Sequence, residues 1–124
     1  MFATTKMTIR VLADNRLCDL SDKKNLNTEH GFSCLIQSAD GNKILFDTGR
    51  EVYISNAKEL GIDLNNISSL ILSHAHYDHT DGLSDFFSLS PNSYLIASEK
   101  LFLPHYSLKT GKSRFIGLSD DSKN

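Results

Sequence analysis

No charge of either sign dominates this chain. Lysine and arginine number 13 against 15 aspartates and glutamates, for a net charge of −2. A protein that grips nucleic acid or an anionic membrane displays a basic patch, and this balance supplies none. Cysteine is scarce. Cys18 and Cys34 are the only two, their spacing suggests no pair, and nothing requires a disulfide. No apolar run approaches the roughly 20 residues of a membrane span. Residues 1–15 alternate polar and apolar and lack the apolar core of a secretory signal. Internal repeats, linkers and low-complexity segments are missing as well. These absences predict a cytoplasmic protein with reduced cysteines. They predict neither nucleic acid nor membrane as partner, and the expected partner is a small-molecule substrate.

What is present is ordinary for a folded domain. The chain has 124 residues, 40% hydrophobic and 23% charged. That is enough for a core without staples, so residues 1–124 read as a single domain.

Met7-Thr8-Ile9-Arg10-Val11 alternates and is β-branched, which predicts a strand with Met7, Ile9 and Val11 on one face. Asp14-Asn15 is a turn signal, and residues 16–30 read as a long polar loop. A second strand is expected over 32–38, a hairpin turn over 39–42 and a mostly apolar third strand over 43–47. Asp47-Thr48-Gly49 ends that strand with a carboxylate and a glycine. Residues 51–60 have helical spacing, and Gly61 is a stop. A fourth strand over 68–73 contains the run Leu70-Ile71-Leu72. A short helix is expected over 81–87, capped by Thr80 or Asp81. A fifth strand follows over 93–97, then a short helix over 99–103 capped by Ser98. Residues 105–111 read as loop, 113–118 as a last strand and 119–124 as a solvated tail.

The chemistry concentrates directly after the fourth strand. Ser73-His74-Ala75-His76-Tyr77-Asp78-His79-Thr80-Asp81-Gly82 holds three of the five histidines and a carboxylate within six positions. Imidazole nitrogens and carboxylates are the usual ligands of catalytic zinc. Alternate side chains at a strand end point the same way, so His74 and His76 can share one ion. The turn that follows aims Asp78 and His79 at the same hollow. Four ligands thus divide into two pairs, which suits two adjacent metals. Such ions lower the pKa of a bound water toward neutrality and supply hydroxide as nucleophile. Zinc is the default, and iron and manganese accept the same donors.

Two other places stay open at this level. Asp47 is either a turn residue before Gly49 or an acceptor that orients a ligand histidine through its other N–H. Glu29-His30 is either a loop pair held by backbone hydrogen bonds or a contribution to the pocket. Cys34 reads as core.

His74-x-His76-x-Asp78-His79 followed by Asp81-Gly82, with Phe46-Asp47-Thr48-Gly49 upstream, resembles the signature of the metallo-β-lactamase superfamily. Glu29-His30-Gly31-Phe32-Ser33 and the segment from Asn56-Ala57 to Asp63-Leu64 resemble its dihydropteroate-synthase-like, metal-dependent hydrolase branch. The resemblance implies an α/β fold, an αββα sandwich of which this chain supplies about the first half as a mixed sheet with flanking helices. It implies His74 and His76 on one metal and Asp78 and His79 on the other, with Asp78 also catalytic at the water or the leaving group. His30 and Asp47 would support those ligands from behind. Members draw further ligands from a second half, for which the only histidine downstream of His79 is His105, in a context that does not match. The expected domain is therefore truncated at its C-terminus, with one sheet face lacking cover.

Three functions follow as expectations. The first is a metal-dependent hydrolase of an ester, lactone, thioester or phosphoester. The second is a pterin-pathway transferase. The third is a non-catalytic metal-binding or assembly module partnered by a second copy or a second-half chain. An amidohydrolase barrel also uses His-x-His, but such barrels need about 250 residues.

Overall fold

Strands β1 (Met7–Ala13), β2 (Ser33–Ser38), β3 (Lys43–Phe46), β4 (Ser69–Ile71) and β5 (Tyr94–Ile96) form one sheet in the order β1-β2-β3-β4-β5. The computed structural model describes residues 6–17 and 25–123, so Cys18 lies outside the described residues. The first three strands are antiparallel neighbours. β4 and β5 then join parallel to β3. A parallel connection needs a crossover, and helix α1 (Val52–Glu59) supplies it between β3 and β4. Helix α3 (Leu83–Leu89) does the same between β4 and β5. This is the mixed α/β sheet that the sequence predicts.

The pleat sorts side chains onto two faces. In register across the sheet run Arg10, Leu35, Leu45, Leu70 and Leu95. Leu35, Leu45 and Leu70 in this row are almost fully buried, in one cluster with Tyr53 and Ala57 of α1 and Leu83 and Phe86 of α3. The opposite face carries Val11, Cys34, Phe46, Ile71 and Ile96 in one row and Ile9, Ile36, Ile44, Ser69 and Tyr94 in the next. Here Ile9 is 62% exposed, Ile96 52% and Tyr94 76%. The uncovered apolar face expected from the sequence is present, with Met7, Ile9 and Val11 on it together. Cys34 is buried and has no disulfide partner among the described residues, and burial pushes its thiol pKa up.

Two side chains tie the loop before β2 to α1. Glu29 accepts from the backbone N–H groups of Arg50, Glu51 and Val52 at 2.7, 2.9 and 3.3 Å, so it caps a helix that has no cap of its own. A Cβ on Gly49, whose φ is +58°, would lie 2.5 Å from that carboxylate, which explains the glycine. Buried Asn56 donates to the carbonyls of Leu12 and Asn27 at 2.8 and 2.9 Å and accepts from the Asn27 N–H at 2.9 Å. Asn56→Ala leaves these backbone groups unpaired, and we expect a loss of about 1–3 kcal/mol in urea unfolding.

The structure corrects the sequence reading in four places. A one-turn helix, α2 (Tyr77–Thr80), precedes α3, and α3 starts at Leu83 after Gly82 rather than at Asp81. The Ser98-capped segment is a 3-10 turn, Glu99–Phe102, with Ser98 Oγ accepting from the Lys100 N–H at 3.2 Å. Strand β6 (Tyr106–Ser107) pairs with β7 (Arg114–Phe115), so part of the expected loop is strand and the last strand is shorter than expected. The expected tail forms a one-turn helix, α4 (Asp120–Lys123). Asp120 pairs with Lys123 at 2.9 Å and Ser122 Oγ donates to the Thr80 carbonyl at 3.2 Å, two bonds a solvated tail lacks.

Candidate metal centre

β3 and β4 are parallel neighbours, so their carboxyl ends lie side by side. Phe46 is level with Ile71, and the Asp47 N–H donates to the Ile71 carbonyl at 2.9 Å. The residues that follow each strand therefore meet: Asp47 from β3, and Ser73 to His79 from β4. The carboxyl edge of a parallel sheet is the usual place for a ligand site.

Asp47 has φ +54°, a conformation that aspartate tolerates better than most residues. It is 1% exposed and its carboxylate is surrounded by donors. The Ser73 N–H reaches Oδ1 at 2.7 Å. Ser73 Oγ–H reaches Oδ2 at 2.6 Å, and His79 Nδ1 lies 2.7 Å from the same oxygen. A carboxylate only accepts, so His79 presents its N–H at Nδ1 and keeps the Nε2 lone pair free. The same logic extends one residue further. The single Ser73 hydroxyl proton goes to Asp47, so Ser73 Oγ accepts from His74 Nδ1, 2.7 Å away. His74 too is left with a free Nε2. One buried carboxylate thus sets the tautomers of two imidazoles.

Asp47, His74 and His79 each offer a ligand atom, all within 4.8 Å of one another. The rings of His74 and His79 are 4.2 Å apart between centroids, and those of His74 and His76 are 4.5 Å apart. His76 is outside the convergent three, and its ring lies 6.1 Å from that of half-buried His105. Asp78 Oδ2 lies 3.5 Å from His79 Nε2. Two ligands of one tetrahedral ion, each about 2.1 Å from it, are about 3.4 Å apart, so this pair fits a shared ion. Burial, then the neighbouring His79 and His76, pull the His74 pKa down, which favours the neutral ring that binds metal.

His30 stands behind Asp78. Its Nε2 lies 3.2 Å from Asp78 Oδ2, and the Asn15 amide donates to its Nδ1 at 3.3 Å. The Phe32 N–H donates to the Asp78 carbonyl at 3.3 Å. A Cβ on Gly31, φ +155°, would stand 2.4 Å from that carbonyl, so only glycine lets the two loops approach. Asp81 Oδ1 is buried with no hydrogen-bond partner among the described residues, Arg50 approaches its other oxygen at 3.8 Å, and burial raises the pKa.

Ser73 and Asn15 escape sequence reasoning. A serine before a histidine is unremarkable until β3 and β4 are known to be parallel. The one sequence signal is that Asp47 and Ser73 stand at the ends of two apolar strands.

The chain matches the family model of the metallo-beta-lactamase superfamily over residues 26–122. It is 32% identical over 117 residues to an uncharacterized protein of Methanocaldococcus jannaschii, covering 93% of this chain and 42% of that one. Over 61 residues it is 46% identical to the 7,8-dihydropterin-6-methyl-4-(beta-D-ribofuranosyl)-aminobenzene-5'-phosphate synthase of the same organism, covering 45% of this chain and 21% of that one. Among solved structures it is similar to a motif mutant of a metallo-beta-lactamase from Cronobacter sakazakii, with a TM-score of 0.52 and 27% identity over 61% of this chain and 32% of that one. The chain spans less than half the length of the curated relatives it matches.

Proposed function

The chain belongs to the metallo-β-lactamase superfamily, and from that premise we propose that it is a metal-dependent hydrolase of an ester, lactone, thioester or phosphoester. The observation that carries the reading is the relay from Asp47 through Ser73 and His79, which leaves Nε2 free on His74 and His79, whose rings are 4.2 Å apart between centroids. His74 and His76 would hold one divalent ion, and Asp78 and His79 a second, with zinc the first choice for such donors. When bound, such ions supply an activated water and positive charge for a developing oxyanion.

The chain's own residues have separate tasks. Asp47 keeps both rings in the metal-binding tautomer. His30 donates from Nε2 to Asp78 Oδ2 and fixes that carboxylate. Asp78 Oδ1 then takes a proton from the attacking water and returns it to the leaving group. Ester, lactone, thioester and phosphodiester turnover by metal-loaded protein tests the reading. One class should be hydrolysed, and His79→Ala should lower that rate at least about 100-fold, since losing a ligand exceeds losing its support. No turnover of any class, or an unchanged rate in His79→Ala, contradicts it.

A second reading, a pterin-pathway transferase, is favoured by the 46% identity to the dihydropterin synthase. A pterin pyrophosphate with an aminobenzoate acceptor separates the two: C–N bond formation supports the transferase, and hydrolysis alone supports the first reading.

A further inference from the structure

The β6–β7 hairpin carries positive charge with no carboxylate within ion-pair distance among the described residues. Lys109 and Lys112 lie between its strands and Arg114 on the second of them. The hairpin is anchored to the histidine cluster through the backbone. The Tyr77 N–H donates to the Ile116 carbonyl at 3.0 Å, and the Ile116 N–H to the His105 carbonyl at 2.9 Å. Arg114 is held in place as well. Its guanidinium lies 5.6 Å from the Tyr77 ring centroid and donates to the Tyr77 hydroxyl at 3.3 Å.

A cleft of about 290 Å³ separates the hairpin from the cluster, lined by His30, His76, Asp78, Ser107, Lys109 and Arg114 among others. Among the described residues, neither Lys109 nor Arg114 has a carboxylate within ion-pair distance. Asp78, the one carboxylate in the lining, is engaged by His30 and His79 through Oδ2. Ser107 Oγ accepts from the Lys109 N–H at 3.3 Å, which leaves its own proton to give.

We propose that this cleft binds a phosphate group of the substrate, held by Arg114, Lys109 and Ser107, as an anchor that places the rest of the molecule at His74 to His79. The inference rests on the reading of that cluster as the reacting centre. Two points favour phosphate over a carboxylate, and a third bears on the size of what binds. A guanidinium fork, an ammonium and a hydroxyl line the same cleft, a donor set that suits a tetrahedral group with three free oxygens. A phosphate monoester carries close to two negative charges at neutral pH, matching the two cations. The cleft is at the small end for ligand sites, so it takes a group rather than a whole molecule.

The test is calorimetric titration of inorganic phosphate into metal-free protein, in resin-treated buffer at low ionic strength. Saturable binding is expected, weakened about tenfold by Arg114→Gln and by Lys109→Gln, and weakened by added salt. Arg114→Lys, which keeps the charge and loses the fork, should fall between. Arg10→Gln, on distant β1, should bind as wild type does. Thermal melts of each variant establish that it is folded. Absence of saturable binding, equal affinity in all variants, or acetate binding as tightly as phosphate overturns the proposal. Because metal is absent, this result is independent of the hydrolase reading, which the turnover panel tests separately.

Discussion

Asparagine at position 47 weakens divalent-metal binding about 10- to 100-fold while the fold stands. The range is that of support residues behind metal ligands in general, and the geometry here says why. Three donors converge on the Asp47 carboxylate: the Ser73 N–H, the Ser73 hydroxyl and His79 Nδ1. An amide of the same shape offers one oxygen and two N–H donors. Whichever way it turns, an N–H faces a donor. Either the Ser73 N–H loses its acceptor, or His79 and the serine hydroxyl do. In the second case His79 is free to carry its proton on Nε2, where a metal would bind. Asparagine also tolerates positive φ, so the backbone at +54° is not disturbed. Isothermal titration with zinc measures the affinity, and circular dichroism checks the fold. An unchanged affinity in Asp47→Asn would mean that the relay does not set the ligand tautomers.

The second large effect is on stability. Leu70→Ala should cost about 3 kcal/mol and lower the melting temperature by roughly 10 °C. Leu70 is fully buried at the middle of β4, between Leu45 and Leu95 in the cross-sheet row. Truncation there leaves a cavity between sheet and helices. Ile96→Ala, on the open face and 52% exposed, should cost under about 1 kcal/mol. Chemical denaturation of both variants decides the matter. Equal losses would mean that the open face is packed in solution.

The contrast between those two leucine and isoleucine positions also marks what the sequence could reveal. The five strands of the sheet and α1 were legible because each is an alternating, continuous apolar or helically spaced run, as in Met7, Ile9 and Val11 or in Leu70-Ile71-Leu72. The histidine cluster was legible because its donors are close in sequence. Elements held by single distant bonds were not. α2 is one turn long and is fixed by the Tyr77 N–H to Ile116 and the Phe32 N–H to Asp78. β7 falls inside the strand expected over 113–118, but β6 lies in a stretch read as loop, and no local pattern encodes its pairing with β7. Glu29 looked like a loop residue and is the cap of a helix 22 positions away, a role visible only once the chain has folded back. Ser73 was invisible for the same reason: its value lies in Asp47, 26 positions upstream. Cross-strand partners of this kind follow from topology, and topology follows from the strands.

Metal uptake by the chain itself bears most directly on the central claim. Metal-free protein should be titrated with zinc, and separately with manganese, alongside the double variant His74→Ala/His79→Ala. The account predicts saturable uptake by the wild type and affinity at least about 100-fold weaker in the double variant. Absence of saturable uptake by the wild type, or equal uptake by the two proteins, would contradict it.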